Sequence, residues 1–288
     1  MPAKGVRGGM KAFGELAKPR IAVFSVITGL LGFVIAGGPA RSFLWAAAGL
    51  ALVAGACGAL NQSLEGAEDA LMRRTAARPV PSGRVAPRSA LIFGLALAAA
   101  GLLVTAVELN RCALWVSAAS LFLYAGCYTP LKKATPQATW LGCAAGAAPP
   151  LIGWAAARGS LAWPAWLLFG IQFLWQIPHF LAIFWIHRED YARAGFRLMP
   201  AVDPSGRLTS LQIAIHSFGL LPLTLIPFYG GAAGTRYAAL ALALGLLYLP
   251  LGLRASLTMS LADARRLFLA SLAYLPAVYG LFWYGVKA

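Results

Sequence analysis

The sequence predicts an all-α integral membrane protein, a bundle of nine transmembrane helices around a central cavity that opens to the cytoplasmic side. Three observations lead there. Hydrophobic residues make up 60% of the 288 and charged residues only 11%, with a mean hydropathy of +0.71, far from a soluble globular composition. The apolar stretches are long, rich in Leu and Ala and free of period-two alternation, which favours helices over a β-barrel. The basic residues fall into alternate connections between those stretches.

Windows of about 18 to 22 apolar residues place the spans at 20–38, 42–62, 89–107, 112–129, 138–157, 163–186, 209–230, 236–254 and 267–286. The first follows MKAFGELAKPR, a mixture of basic and apolar residues suited to a short helix on the inner leaflet. Its apolar run is long enough to cross and no A-x-A site follows, so no cleaved signal peptide is expected. The second span ends in NQSLEGAEDALMRRTAARPVPSGR, residues 61–84. The third and fourth flank a short connection with Arg111, and the fourth runs into YTPLKK. The fifth contains LGCAAGAAPP (141–150), small residues that let helices approach closely in lipid. Pro149, Pro150 and, in the sixth span, Pro178 should kink or loosen their helices, with the freed backbone groups satisfied by neighbours or by a wet cavity. The sixth ends in WIHREDYARAGFRLMP (185–200), and the last three are defined by hydropathy. No soluble domain is expected; residues 1–288 form one transmembrane domain, with 1–19 as an N-terminal cytoplasmic or interfacial segment.

Nineteen of the 24 basic residues lie on one side, in the N-terminus (Lys4, Arg7, Lys11, Lys18, Arg20), in three long loops and in the turn before the last span. Five lie on the other: Arg41, Arg111, Arg158, Arg236 and Lys287. The positive-inside rule makes the first side cytoplasmic, with the N-terminus inside and the C-terminus outside. The net charge of +15 is spread over loops of a membrane protein, so anionic head groups and an anionic substrate account for it and nucleic acid does not. Cys57, Cys112, Cys127 and Cys143 form no CxxC pair and read as packing thiols.

Scarce negative charge is concentrated. Eight of the nine acids fall on the cytoplasmic side, five of them in two clusters, Glu65, Glu68 and Asp69 after the second span and Glu189 and Asp190 after the sixth. If the second helix continues past Asn61, positions 61, 65, 68 and 69 stand at about 0°, 40°, −20° and 80° around its axis, on one face. Like charges so close to hydrocarbon need a compensating cation. Arg73, Arg74 and Arg78 could supply it as a structural ion-pair network; so could Mg²⁺, which takes a few carboxylate and amide oxygens and keeps room for phosphate. Two acidic clusters at one mouth, mixed with arginines and joined by Lys132 and Lys133, favour a site for metal ions and a polyanion such as a diphosphate.

At these residues the chain resembles the UbiA-type intramembrane prenyltransferases, and among them the protohaem IX farnesyltransferases or haem O synthases. That family's first signature runs approximately N-x-x-x-[DE]-x-D-x-D-x-x-M-x-R-T-x-x-R-P, and Asn61, Glu65, Asp69, Met72, Arg74, Thr75, Arg78 and Pro79 fall in register with it. YTPLKKATPQATWLGCAAGAAPPLIGW (128–154), LWQIPHFLAIFWIHREDYARAGFRLMP (174–200) and KPRI (18–21) are similar to further family stretches, so the resemblance covers roughly residues 15–210. Position 67, often a further aspartate in the family, is Ala67, and Gly66 replaces the arginine commonly beside it. That departure bears on activity rather than on fold.

The resemblance implies a Mg²⁺-dependent transfer of the farnesyl group from farnesyl diphosphate to a vinyl group of haem b, with addition of water to give haem o. It assigns Asn61, Glu65, Asp69 and Asp190 to metal binding and catalysis, with Glu68 and Glu189 as secondary ligands. Arg74, Arg78, Lys132, Lys133, Arg20 and Arg188 would hold the diphosphate. Tyr128 is either an interfacial belt residue or a hydrogen-bond donor to the same group. His179 reads either as a satisfied packing residue or as a haem contact, while Trp175, Phe180 and Trp185 read as packing or belt residues. The expected location is a bacterial inner membrane, with lipids as surroundings and haem a synthase or terminal-oxidase assembly factors as partners downstream. Two other readings stay open: a prenyltransferase acting on an aromatic or quinone-precursor ring, and a non-catalytic membrane carrier or assembly protein of the same fold. A transporter would place its charges near the midplane, and these lie at the inner boundary.

Overall fold

The computed structural model describes residues 6–286, so Lys4 and Lys287, counted in the charge asymmetry, lie outside it, as does the side chain of Arg7. The apolar runs become helices in order: α1 (Val6–Leu16), α2 (Pro19–Ile35), α3 (Ala40–Leu64), the short α4 (Gly66–Leu71), α5 (Pro87–Val104), α6 (Arg111–Leu121), α7 (Thr129–Leu131), α8 (Ala138–Gly146), α9 (Ala148–Arg158), α10 (Trp163–Ile186), α11 (Arg188–Arg193), α12 (Met199–Val202), α13 (Arg207–Tyr229), α14 (Thr235–Thr258) and α15 (Leu261–Gly285). A π-helical turn, Thr105–Leu109, extends α5, and a second, Phe122–Tyr128, joins α6 to α7.

Among the described residues seven helices are long and apolar enough to cross a membrane: α3, α10, α13, α14, α15 and the extended rods Pro87–Leu109 and Arg111–Leu131. An eighth is reached by joining Gly9–Leu16 to α2 across a 46° bend. Of the nine expected spans, the fifth is the one that is not a single long helix: it breaks at Ala147 into α8 and α9. The cause is chemical: Pro149 and Pro150 have no N–H to continue a helix and instead occupy its first turn. The freed carbonyls are satisfied by neighbours, Ala145 O by Ser120 Oγ at 3.1 Å and Gly146 O by Gln172 Nε2 at 2.8 Å. Pro178, by contrast, leaves α10 as one helix.

Small residues set the packing. A Cβ on Gly153 would fall 1.8 Å from Gly29 O, and one on Gly32 would fall 2.4 Å from Pro150 O, so α2 and α9 meet backbone to backbone. Rod α10 is the central one, burying Leu168, Ile171, Trp175, Ile177 and Leu181. The expected short helix before the first span is α1, which lays Ala12 and Leu16 on Ala59, Val80, Val85 and Ala90.

Connections collect at two ends of the bundle. At one, Arg197 N donates to Lys132 O (2.8 Å), Arg193 Nε to Leu71 O (3.2 Å) and Trp185 Nε1 to Met259 O (2.7 Å), tying together the loops that follow α4, α7, α10 and α14. At the other, Asn110 Nδ2 donates to Ala155 O at 2.8 Å. The long, charge-rich loops thus share one mouth.

Candidate functional site

Helix α3 does not run straight through the first acidic cluster. Glu65, at φ −115° and ψ 17°, ends it and starts α4. The i to i−4 bonding persists across the break, with Glu65 N to Asn61 O at 3.0 Å and Asp69 N to Glu65 O at 2.8 Å. Asn61, Glu65 and Asp69 therefore stay stacked at one-turn intervals, all three buried, at 2%, 2% and 3% exposure. Glu68 is half-buried, and Ala67 is exposed, facing away from the buried three.

Each of these polar groups carries a cation. Arg78 Nη1 lies 2.7 Å from Asp69 Oδ2, Lys132 Nζ lies 2.5 Å from Glu65 Oε1, and Lys133 pairs with Glu68. Lys18 Nζ donates to Asn61 Oδ1 at 2.5 Å. Lys132 is held between aromatic faces, 4.8 Å from the Tyr128 ring centroid and 5.2 Å from that of Phe196. Burial pushes its ammonium below the ordinary lysine range, against the opposing pull of Glu65. Tyr128 also fills the space beside Gly142, where a Cβ would fall 2.7 Å from its ring.

The second cluster joins through Tyr191 rather than through its acids. Arg74 donates to the Tyr191 hydroxyl, and its guanidinium lies 5.1 Å from that ring's centroid. Asp190 pairs with Arg193, and Glu189 is exposed. Arg188 lies over Trp185, 4.6 Å from its ring centroid, and Arg20 is exposed. Among the described residues no three His, Cys, Asp or Glu side chains form a group that could hold an ion on their own; the acids are paired with basic side chains. A buried carboxylate must be neutralised by something, and here lysine and arginine do it.

The oxygens still suit a hard divalent cation. Glu65 Oε1, although next to Lys132 Nζ, takes part in no well-directed hydrogen bond, and it is fully buried. An amide and two carboxylates at one-turn spacing, with lone pairs left over, are the donor set Mg²⁺ prefers.

In the sequence Lys18 reads as an inner-side charge and as the first residue of KPRI, with no role in the site. Its place at the entry to α2, directly before Pro19, was the available signal. It adopts a left-handed conformation, φ 48°, unusual for a residue with a side chain, and from there its amine reaches Asn61.

The model of the UbiA prenyltransferase family matches residues 24–284. The chain belongs to that family. It is 41% identical over 285 residues to a protoheme IX farnesyltransferase of Solibacter usitatus, covering 94% of this chain and 97% of that one, and 38% identical to one of Koribacter versatilis, covering 97% and 94%. Among solved structures, a digeranylgeranylglyceryl phosphate synthase superposes with a TM-score of 0.78 at 17% identity, covering 96% of this chain and 98% of that one. A UbiA homologue of Archaeoglobus fulgidus bound to GPP and Mg²⁺ superposes with a TM-score of 0.66 at 14% identity, covering 94% and 99%. These structures share the UbiA fold.

Proposed function

We propose that this UbiA-family chain transfers the farnesyl group of farnesyl diphosphate to a vinyl group of protohaem IX, with addition of water, giving haem o. The observation that carries it is the buried stack of Asn61, Glu65 and Asp69 ringed by Lys18, Arg78 and Lys132, in a chain whose relatives at about 40% identity are protoheme IX farnesyltransferases.

Asn61, Glu65 and Asp69 would hold Mg²⁺, with Asp190 from the facing loop and Glu68 and Glu189 further out. When bound, Mg²⁺ supplies Lewis-acid neutralisation of the leaving diphosphate. Arg78, Lys132, Lys133 and Arg74 bind the diphosphate oxygens, with Arg20 and Arg188 drawing the anion to the mouth and Tyr128 donating to it. As the bond from C1 of the chain to oxygen breaks, the electron pair leaves with the diphosphate and these fixed cations meet the growing charge. No covalent nucleophile is needed. The allylic cation forms beside the rings of Tyr191, Phe184 and Phe180, whose faces favour positive charge. The vinyl group adds to it, and water completes the hydroxyl, releasing a proton.

The reading places the chain as one domain in a bacterial inner membrane, N-terminus inside and C-terminus outside, so that the charged mouth faces the cytoplasm. Haem a synthase or oxidase assembly factors would receive the product.

Purified protein given haem b, farnesyl diphosphate and Mg²⁺ should yield haem o by mass, together with pyrophosphate. Unchanged haem alongside prenylation of an aromatic ring would overturn the choice of acceptor, and absence of pyrophosphate release with any acceptor would leave a carrier.

A further inference from the structure

About two thirds of the way along α10 a histidine is held in a way the reaction at the mouth does not explain. His179 Nδ1 lies 2.7 Å from Ser271 Oγ of α15. Ser271 is fully buried, and its hydroxyl already donates to Phe268 O at 2.6 Å. A hydroxyl has one proton, so in this contact Ser271 accepts and His179 donates. The imidazole proton is thereby fixed on Nδ1, and Nε2 carries a bare lone pair. Trp175 Nε1 donates to Ser271 O at 2.7 Å and pins the serine from the other side. Nε2 makes no hydrogen bond and is not among the sealed polar atoms.

The surroundings are flat and aromatic. Trp175 stacks on the imidazole at 4.8 Å between centroids, and Phe268 and Phe180 lie at 5.0 and 5.5 Å. Phe24 of α2 stacks on Trp175 at 5.8 Å. From His179 a ladder of rings leads to the mouth: Phe180 to Phe184 at 5.9 Å, and Phe184 to Tyr191 at 5.2 Å, where Arg74 waits. His179 stands seven residues from Ile186, the inner end of α10, about 10 Å along the axis. That separation sets the imidazole and the diphosphate end apart along α10.

We propose that His179 Nε2 is the axial ligand of the haem iron in the acceptor, with Ser271 as the positioning residue that sets its tautomer. An outer hydrogen bond from Nδ1 is how metal-ligating histidines are generally oriented. The iron anchors the macrocycle in the membrane, and the aromatic ladder directs one vinyl edge toward the diphosphate. The assignment rests on the proposed function, because an aromatic ring acceptor has no iron to ligate.

The test uses the full chain in detergent titrated with haem b, without farnesyl diphosphate. The wild type should show the absorption and electron paramagnetic signature of imidazole-ligated haem. In His179→Gly that signature should disappear and return on addition of free imidazole, which also shows that the variant is folded. Ser271→Ala should weaken haem binding about tenfold or more and change the ligand-field spectrum. If haem o is formed but His179→Gly binds haem b with unchanged affinity and spectrum, the ligand assignment fails and the function stands. If the wild type gives no haem spectrum and prenylates only a ring acceptor, both fail.

Discussion

Lys18 Nζ rests 2.5 Å from Asn61 Oδ1, so an ammonium group occupies an oxygen proposed for the metal. The same holds at Glu65 with Lys132 and at Asp69 with Arg78. For Mg²⁺ to take these oxygens the cations must leave them, and a diphosphate gives the cations a new partner. Metal and diphosphate are then expected to bind with mutual gain, and such coupling is reciprocal, commonly about 5- to 150-fold. Calorimetry with Mg²⁺ alone, inorganic pyrophosphate alone and both together measures it. Lys18→Met should strengthen Mg²⁺ binding on its own and weaken that of pyrophosphate; independent binding in the wild type would refute the exchange.

The buried stack and the exposed position beside it should respond differently to substitution. Glu65→Gln and Asp69→Asn are expected to lower turnover by roughly 10²- to 10³-fold, while the proteins still elute as folded monodisperse species. Ala67→Asp, which restores the acid common in the family, points to the exposed side and should change stability by no more than about 0.5 kcal/mol and turnover little. A large gain of activity in that variant would show that position 67 reaches the site.

Tyr191→Phe keeps the ring of the ladder and removes the hydroxyl that holds Arg74. A hydrogen bond to a charged group is worth about 1.5 to 3 kcal/mol, so pyrophosphate affinity should fall roughly tenfold or more on that basis. Haem b binding, read by absorption, should stay as in the wild type.

Gly153→Ala tests the packing of α2 on α9. Its methyl would meet backbone, Gly29 O, rather than a side chain that can turn away, and overpacking of this kind costs about 1 to 3 kcal/mol or more. The thermal midpoint in detergent should drop clearly, whereas Gly159→Ala, with nothing near its Cβ but a positive φ of 70°, should cost less, at roughly 1 kcal/mol.

Asp203 gives a pH dependence. Burial alone would raise its carboxyl, but hydrogen bonds from Thr209 N (2.9 Å), Ser205 Oγ (2.9 Å) and Thr209 Oγ1 (3.0 Å) outweigh this and hold it below the usual range. A depressed folded value adds stability that is complete above the ordinary aspartate pKa of about 3.9 and fades as pH falls through the lower value. Asp203→Asn should melt earlier at neutral pH, and its deficit should shrink below about pH 4.

Much of this was legible in the sequence because a bilayer leaves few options: an apolar run of sufficient length must be helical, and basic loops gather on one side. The long loops do share one mouth. What escaped was governed by local chemistry at proline and by three-dimensional pairing. Pro149 and Pro150 broke a span that hydropathy alone reads as continuous, whereas Pro178 did not break its own. Of the four positions expected on one face, Asn61, Glu65 and Asp69 are buried together and Glu68 is half-buried, although the helix carrying them ends at Glu65. Which cation meets which acid depends on loops distant in the chain, and neither the part of Lys18 nor that of Tyr191 has a spacing that announces it.

The matching of every buried carboxylate in this stack with a lysine or arginine of the same chain has a bearing on biogenesis. A newly made polypeptide can enter the bilayer and assemble without awaiting an ion from the cytosol, since its charges cancel internally. Removal of divalent ions by a chelator should therefore silence the protein without unravelling it, and resupply should return it to work without a chaperone.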